Sequence, residues 1–376
     1  MNRIEIVKRA ALCGCALLVF CLAAPWPSMS GATAARKTRN VIFVMTDGLR
    51  WQEVFEGADA AMMNKEHGDV EDVDGLKKEF WRPDANARRE ALMPFLWSFV
   101  SKNGQVYGNR SKQSDAYVTN RHNFSYPGYN ETLCGFADPR IDSNDKKPNP
   151  NVTVFEWLHQ KAGYRGKVAA FGAWDVFPYI FNAPRAGFLV NAGYDPLEVS
   201  PVTPRIELLN RLKTETRVWE GEPFDSLTFH TALEHMKMHK PRLLYISLGE
   251  TDEWAHAGKY GEYLRAAHRV DAYLKELWNT AQSMSQYKES TTLIVSVDHG
   301  RGGAPVEWKN HGEKVPDSKY MWMAFLGPDT KALGERANIS AVTQSQIAAT
   351  LADLLGEDYP AAVPNAGKAI QDVVGR

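Results

Sequence analysis

The chain has 376 residues, enough for one large α/β domain or two modest ones. Its 44 basic and 45 acidic residues give a formal net charge of −1, which excludes the strong positive charge typical of proteins that bind nucleic acid or anionic membranes. With 44% hydrophobic and 24% charged residues, the composition is that of an ordinary globular protein.

The first 35 residues have the layout of a secretory signal peptide. A basic start with Arg3, Lys8 and Arg9 precedes an uncharged run over residues 10–24 and a small-residue stretch with an Ala32-x-Ala34 cleavage site. This run is short for a membrane span. We therefore predict a signal peptide at residues 1–35, export to the periplasm or extracellular space, and no transmembrane span after signal removal. A retained N-terminal anchor is the alternative.

The mature chain would keep a single cysteine, Cys134, because Cys13, Cys15 and Cys21 belong to the predicted signal peptide. One cysteine cannot form an internal disulfide. We expect the fold to be stabilised by its core and by bound metal.

Short apolar runs and helical spacing alternate along the rest of the chain. The runs predict buried strands at residues 40–45, 167–171, 243–248, 292–297 and 321–326. Helical spacing covers residues 154–162, the segment after His256, and residues 346–355. This alternation predicts one α/β domain over residues 36–376, with a mostly parallel central sheet and helices on both faces. Residues 53–120 and 173–223 break the rhythm and are predicted to be loop insertions that cover a site.

Charged side chains follow three of the predicted strands. Asp47 ends the first run, Asp252 comes shortly after the third, and Asp298-His299 ends the fourth. In an open α/β sheet, ligands bind beyond the carboxyl ends of the strands. A single aspartate at such a place is usually a helix cap or a turn former, but the shared placement favours a common site.

Other groups complete a possible metal site. His256 lies four residues after Asp252, on the same face if the segment is helical, and His311 follows in an Asn-His-Gly stretch. Ser125 lies in a Ser-Tyr-Pro-Gly turn, which taken alone is ordinary turn chemistry. Asn123 and Asn130 flank this turn, either as donors to a substrate oxygen or as helix caps. Carboxylates, imidazoles and a hydroxyl are suitable ligands for a pair of zinc-like ions.

In this order the motifs resemble the alkaline phosphatase superfamily, and within it the type I phosphodiesterase/nucleotide pyrophosphatase branch. That branch carries a nucleophilic Thr or Ser before an aromatic residue and Pro, with a Gly further along. Ser125, Tyr126, Pro127 and Gly135 stand in those places, and the predicted helix near Gln346 is also similar. The resemblance covers residues 40–356 and implies an alkaline phosphatase-like sandwich.

The resemblance also implies a mechanism with two divalent metal ions, zinc being favoured. One ion would be held by Asp252, His256 and His311. The other would be held by Asp47, Asp298, His299 and the Ser125 hydroxyl. Ser125 would attack as an alkoxide, and the ion that does not hold Ser125 would stabilise the leaving oxygen. Water bound to that ion would then hydrolyse the covalent Ser125 intermediate. The implied substrate is a small-molecule phosphate ester, either a diester or a monoester.

Departures from the family pattern keep other functions open. His311 follows His299 by only twelve residues, a shorter interval than many relatives show. A sulfatase or phosphonate hydrolase would use the same scaffold, but Tyr129 stands where the sulfatase modification motif has Arg. No arginine that would grip a terminal phosphate is evident, which favours a diester or a bulky monoester. A non-catalytic, metal-stabilised envelope binding protein is an alternative from another class, and a mutase or phosphotransferase would differ only in the acceptor. The oligomeric state stays open.

Overall fold

The computed structural model describes residues 36–375, so the predicted signal peptide lies outside the described residues. Over this part of the chain the strands are β1 (Asn40–Thr46), β2 (Gln105–Tyr107), β3 (Ala116–Tyr117), β4 (Val168–Gly172), β5 (Leu189–Ala192), β6 (Leu243–Leu248), β7 (Thr291–Ser296), β8 (Met323–Leu326), β9 (Gly334–Glu335) and β10 (Val342–Thr343). The α-helices are α1 (Trp51–Glu56), α2 (Lys65–Gly68), α3 (Val73–Phe80), α4 (Ala85–Leu92), α5 (Ser101–Asn103), α6 (Ser125–Cys134), α7 (Val154–His159), α8 (Phe177–Ile180), α9 (Ala183–Ala186), α10 (Pro204–Glu215), α11 (Asp225–His239), α12 (Glu250–His256), α13 (Tyr260–Ser283), α14 (Ile347–Leu354) and α15 (Tyr359–Ala362).

A mostly parallel sheet forms the centre of the molecule. Its eight strands lie in the order β5-β4-β6-β1-β7-β8-β2-β9, and β8 runs antiparallel to both of its neighbours. Every residue of β1, β6 and β7 is buried. Continuous apolar runs are required here because helices cover both faces of a parallel sheet. Strands β3 and β10 form a separate parallel pair.

The predicted fold class is confirmed, and the predicted strands correspond to β1, β4, β6, β7 and β8. The predicted helices correspond to α7, α13 and α14. The segments 53–120 and 173–223 each contribute a strand to the sheet, β2 and β5, which the prediction did not include. These strands have three and four residues, too few for a periodic pattern to stand out.

Helices pack on the sheet through apolar faces. In the 24-residue α13 the buried positions include Tyr263, Leu264, Ala267 and Val270, at the spacing of one helical face. In the described part of the chain, no helix combines the length and apolar character needed to cross a membrane.

A buried ion pair ties the segment after β1 to the segment after β7. Arg50 and Glu53 are 1% and 0% exposed, and the Arg50 Nε donates to Glu53 Oε2 at 2.8 Å. The Arg50 Nη1 donates to the Gly302 carbonyl at 2.8 Å, and its backbone N–H donates to the Tyr263 hydroxyl at 3.0 Å. The two loops that leave the middle of the sheet are therefore fixed relative to each other.

Candidate active site

Neighbouring strands bring the predicted site residues together. Strands β6, β1 and β7 are adjacent and parallel, so their carboxyl ends meet at one edge of the sheet. Asp47 directly follows β1, Asp252 lies in α12 just after β6, and Asp298 and His299 follow β7. The Asp47 N–H donates to the Leu248 carbonyl at 2.8 Å, which extends the β1–β6 pairing up to the site.

Ser125 is the first residue of α6 and faces the same edge. Its Oγ lies 3.4 Å from His299 Nε2, and the residue is 6% exposed. Gly128 lets α6 approach this closely, because a Cβ at that position would overlap the carbonyl oxygen of Asp298. The Ser-Tyr-Pro-Gly sequence therefore places the hydroxyl beside the end of β7.

Asp47, Asp298 and His299 form one buried cluster, with ligand atoms all within 4.8 Å of one another. His299 Nε2 is 3.3 Å from both Asp47 Oδ1 and Asp298 Oδ2. These two oxygens have no hydrogen-bond partner among residues 36–375. The other oxygen of each carboxylate is held: Tyr129 donates to Asp47 Oδ2 at 2.8 Å, and the Gly48 N–H donates to Asp298 Oδ1 at 3.1 Å. Each carboxylate thus offers one free oxygen to a shared ligand.

Asp252, His256 and His311 form a second cluster beside the first. His256 Nε2 lies 3.1 Å from Asp252 Oδ2 and 3.0 Å from His311 Nε2. The His311 and His299 rings stack at 4.0 Å, and ligand atoms of Asp252, His299 and His311 also fit within 4.8 Å. His299, a member of the first cluster, is therefore also in contact with the second. His256 is the most open member, with 46% of its side chain exposed.

Backbone carbonyls orient two of the imidazoles. His299 Nδ1 is 2.9 Å from the Gly300 carbonyl, and His311 Nδ1 is 3.2 Å from the Asn123 carbonyl. A carbonyl can only accept, so each Nδ1 carries a hydrogen and each Nε2 faces the cluster, where it could bind a metal in the neutral imidazole. Such a bond is usual for metal-binding histidines.

The shifted pKa values of the clustered residues show that the buried carboxylates need a neighbouring positive charge. Burial and the neighbouring Asp47 raise the pKa of Asp298 well above its usual value. Burial alone would lower the pKa of His299, but the Asp298 and Asp47 carboxylates outweigh it and raise that pKa to about 9. Burial and the positive charge of His299 lower the pKa of His311 to about 2. Without a metal the first cluster therefore holds protons, which a divalent cation would replace.

The pKa of Asp252 shifts in the opposite direction to that of Asp298. Burial would raise it, but Arg301 and the histidines His256 and His311 hold the pKa well below its usual value. The first cluster offers free carboxylate oxygens and the second a charged carboxylate beside two imidazoles, so both are suitable for divalent metal ions.

The two asparagines predicted to contact substrate have different surroundings. Asn123 lies beside the clusters in a left-handed conformation, with φ of 49°, and its side-chain amide has no hydrogen-bond partner among the described residues. Asn130 is fully buried, where its amide bonds to the Phe136 carbonyl at 3.1 Å and to Asn149 and Asn151 at 3.2 and 3.0 Å. Since its polar atoms are engaged inside the protein, we drop Asn130 as a substrate contact.

Three further residues contact the candidate site and were not predicted from the sequence as site residues. Tyr129, four residues after Ser125 on α6, supports Asp47, and its helical spacing was a usable signal. Asn144 accepts the N–H of Tyr126 at 3.0 Å and so lies next to Ser125, but a polar loop gives no sequence signal for it. Arg301 contacts Asp252. It lies in a glycine-rich loop, where an arginine is normally exposed, so no sequence pattern indicates that it is buried at the site.

Comparison with known proteins agrees with this geometry. Residues 62–353 match the type I phosphodiesterase/nucleotide pyrophosphatase family, a range that includes Ser125 and all the clustered residues except Asp47. No curated protein matches the chain.

Several solved structures share the fold. Alkaline phosphatase PafA is 12% identical, with 92% of this chain and 100% of that chain covered and a TM-score of 0.58. A putative sulfatase from Bacteroides thetaiotaomicron is 13% identical, with coverage of 90% and 75% and a TM-score of 0.58. The lipoteichoic acid synthase LtaP from Listeria monocytogenes is 13% identical, with coverage of 86% and 73% and a TM-score of 0.53. The predicted alkaline phosphatase-like fold is thus confirmed, and the chain belongs to the type I phosphodiesterase/nucleotide pyrophosphatase family of the alkaline phosphatase superfamily.

Proposed function

We propose that this protein is an exported, two-metal hydrolase of phosphate esters with Ser125 as its nucleophile. The observation that carries the proposal is the pair of ligand clusters that meet at His299, with the Ser125 hydroxyl 3.4 Å from His299 Nε2. A hydroxyl beside free carboxylate oxygens and oriented imidazoles is the arrangement that metal-assisted displacement at phosphorus requires.

The clusters divide the ligands between two ions, with zinc favoured by the mixed carboxylate and imidazole set. One ion would be held by Asp47, Asp298, His299 and Ser125. The other would be held by Asp252, His256 and His311. When bound, such ions lower the pKa of a serine hydroxyl and neutralise charge on the leaving oxygen.

The chain's own groups orient the reaction. Ser125 Oγ would form a bond to phosphorus while the bond to one ester oxygen breaks and the alcohol leaves. Water would then hydrolyse the Ser125–phosphorus ester, which keeps its second ester group when the substrate is a diester. We expect the Asn123 amide, and the Asn144 side chain that accepts the N–H of Tyr126, to donate to the non-bridging oxygens. Tyr129 keeps Asp47 in place through its bond to Oδ2. These contacts would orient the phosphoryl group. The leaving group would instead contact the segments predicted to cover the site, residues 53–120 and 173–223.

The substrate should be a phosphate ester rather than a sulfate ester. The turn reads Ser125-Tyr-Pro-Gly-Tyr129, and Tyr129 is buried against Asp47, so no arginine stands in the position that the sulfatase modification motif requires. We expect diesters to be preferred, in agreement with the family to which the chain belongs.

Hydrolysis of matched aryl phosphodiester, aryl monophosphate, aryl phosphonate and aryl sulfate by the zinc-loaded mature protein tests the proposal. We expect chelator-sensitive release from the diester well above the sulfate. Ser125→Ala should abolish turnover but keep the metal content, since the other six ligands remain. Ser125→Thr, which keeps a hydroxyl, and Ser111→Ala, at an exposed site, serve as controls.

Release from sulfate alone, with a mass change at the Ser125 peptide, would establish the sulfatase alternative instead. Metal binding without turnover of any ester would favour the binding-protein alternative. Export is tested separately, by measuring the intact mass of the protein recovered outside the cytoplasm, which should correspond to a chain that starts near residue 35.

A further inference from the structure

Arg301 is a fully buried cation at the edge of the site. It follows His299 by two residues, and it is 1% exposed. An unpaired donor in the protein interior costs free energy. Nη1 and Nη2 of Arg301 have partners, whereas Nε has none among the described residues. The partners of Nη1 and Nη2 therefore indicate what Arg301 does.

Arg301 connects segments that carry three of the predicted ligands. Its Nη2 pairs with Asp252 Oδ1 and also lies 3.2 Å from the Asp252 carbonyl. Its Nη1 donates to the carbonyl of Lys309, two residues before His311, at 2.6 Å. Its own backbone follows His299.

Gly48 provides the space in which this contact forms. A Cβ added at Gly48 would lie 2.6 Å from Asp252 Oδ1 and 2.8 Å from Arg301 Nε. Any side chain here would separate the carboxylate from the guanidinium. The residue after Asp47 is thus part of the same arrangement.

The two oxygens of Asp252 have different partners as a result. Arg301 pairs with Oδ1, which also lies 3.8 Å from His311 Nε2 and 4.0 Å from His299 Nε2, whereas Oδ2 is 3.1 Å from His256 Nε2. We propose that Arg301 is a positioning residue that makes Asp252 a one-oxygen metal ligand and fixes the segment leading to His311. This inference rests on the proposed two-metal function.

The planar fork of arginine is needed for this role. Two nitrogens of one guanidinium reach Asp252 and the Lys309 carbonyl at the same time, whereas a lysine ammonium is a point charge on a flexible chain. Loss of the fork would free Oδ1 to join Oδ2 on the metal and release the Lys309–His311 segment. The coordination number at this ion would then rise.

Cobalt substitution reports on the coordination number directly. Wild-type protein and the variants Arg301→Met and Arg301→Lys would be loaded with Co²⁺, and the visible absorption would be recorded at saturation together with the binding isotherm. Four-coordinate Co²⁺ absorbs more strongly than five- or six-coordinate Co²⁺. We expect both variants to bind two Co²⁺, with a weaker visible band and a loss of about 10–100-fold in affinity for one equivalent. Arg185→Met, which removes an arginine paired with Glu156 elsewhere, should leave the spectrum unchanged.

The outcomes separate this inference from the proposed function. A wild-type chain that fails to bind two Co²⁺ overturns the two-metal function and this role with it. Two Co²⁺ bound by Arg301→Met with the wild-type spectrum and affinity would leave the function intact and overturn the role of Arg301. If Arg301→Met does not fold, Arg301→Lys provides the same comparison. Methylguanidine added to Arg301→Ala should restore the wild-type band.

Discussion

Replacing Gly48 by alanine should destabilise the protein through two separable effects. Gly48 has φ of +58°, and an L-residue in this left-handed region costs about 1–2 kcal/mol. The new Cβ would also lie 2.6 Å from Asp252 Oδ1 and 2.8 Å from Arg301 Nε, and overpacking of this kind costs about 1–3 kcal/mol. We expect the free energy of unfolding to fall by about 2–5 kcal/mol in total.

Two other glycines serve as matched controls. Gly166 has φ of +71° and no described atom within 4 Å of an added Cβ, so Gly166→Ala should show only the backbone cost of about 1–2 kcal/mol. Gly303 has the same open space without a left-handed backbone, and Gly303→Ala should change the stability by less than about 0.5 kcal/mol. Urea unfolding of the metal-free variants, followed by circular dichroism, gives the comparison. Equal losses for Gly48→Ala and Gly166→Ala would refute the steric argument.

Three further outcomes follow from the same contacts. Glu53→Gln leaves Arg50 buried without its counter-charge and should cost about 3–5 kcal/mol in urea unfolding; a loss below about 1 kcal/mol would contradict the buried ion pair. Because the pKa of His299 is raised to about 9, the metal-free imidazole is protonated at neutral pH and zinc uptake must release protons. Zinc affinity should therefore rise as the pH increases towards 9. In calorimetry at pH 7, the observed binding enthalpy should change with the ionisation enthalpy of the buffer; the same enthalpy in every buffer would contradict the prediction. Tyr129→Phe removes the donor to Asp47 Oδ2 and should weaken metal binding by about tenfold, with Tyr117→Phe as a control of the same chemistry; equal affinities in the two variants would dismiss the support role.

The sequence was most informative where burial is continuous. The apolar runs of β1, β6 and β7 could be predicted because both faces of these strands are covered, and their ends then located the acidic site residues. Strands β2 and β5 could not be predicted because three or four residues carry no periodicity, and the rest of the sheet determines their pairing.

The location of a candidate site residue could be predicted when its position on a helix or strand determined the direction of its side chain. On α6, Tyr129 is about 40° around the helix from Ser125 and shares its face, whereas Asn130 is about 140° away and enters the core. Asn130 is close to Ser125 in sequence, but this proximity does not bring its side chain into the site. Arg301 and Asn144 lie in loops, and which groups a loop buries depends on tertiary contacts that local sequence does not encode.

The strand order also determines how late in folding the candidate site can form. Val41 of β1 pairs with Leu243 of β6 and with Thr292 of β7, so the central ladder closes loops of about two hundred residues or more. Such non-local pairing is slow and forms late in folding. A chain that ends before His311 lacks a ligand of the second cluster, and one that ends before β7 lacks most of the first. Under the proposed two-metal function, metal content per chain would therefore distinguish complete folded chains from truncated ones.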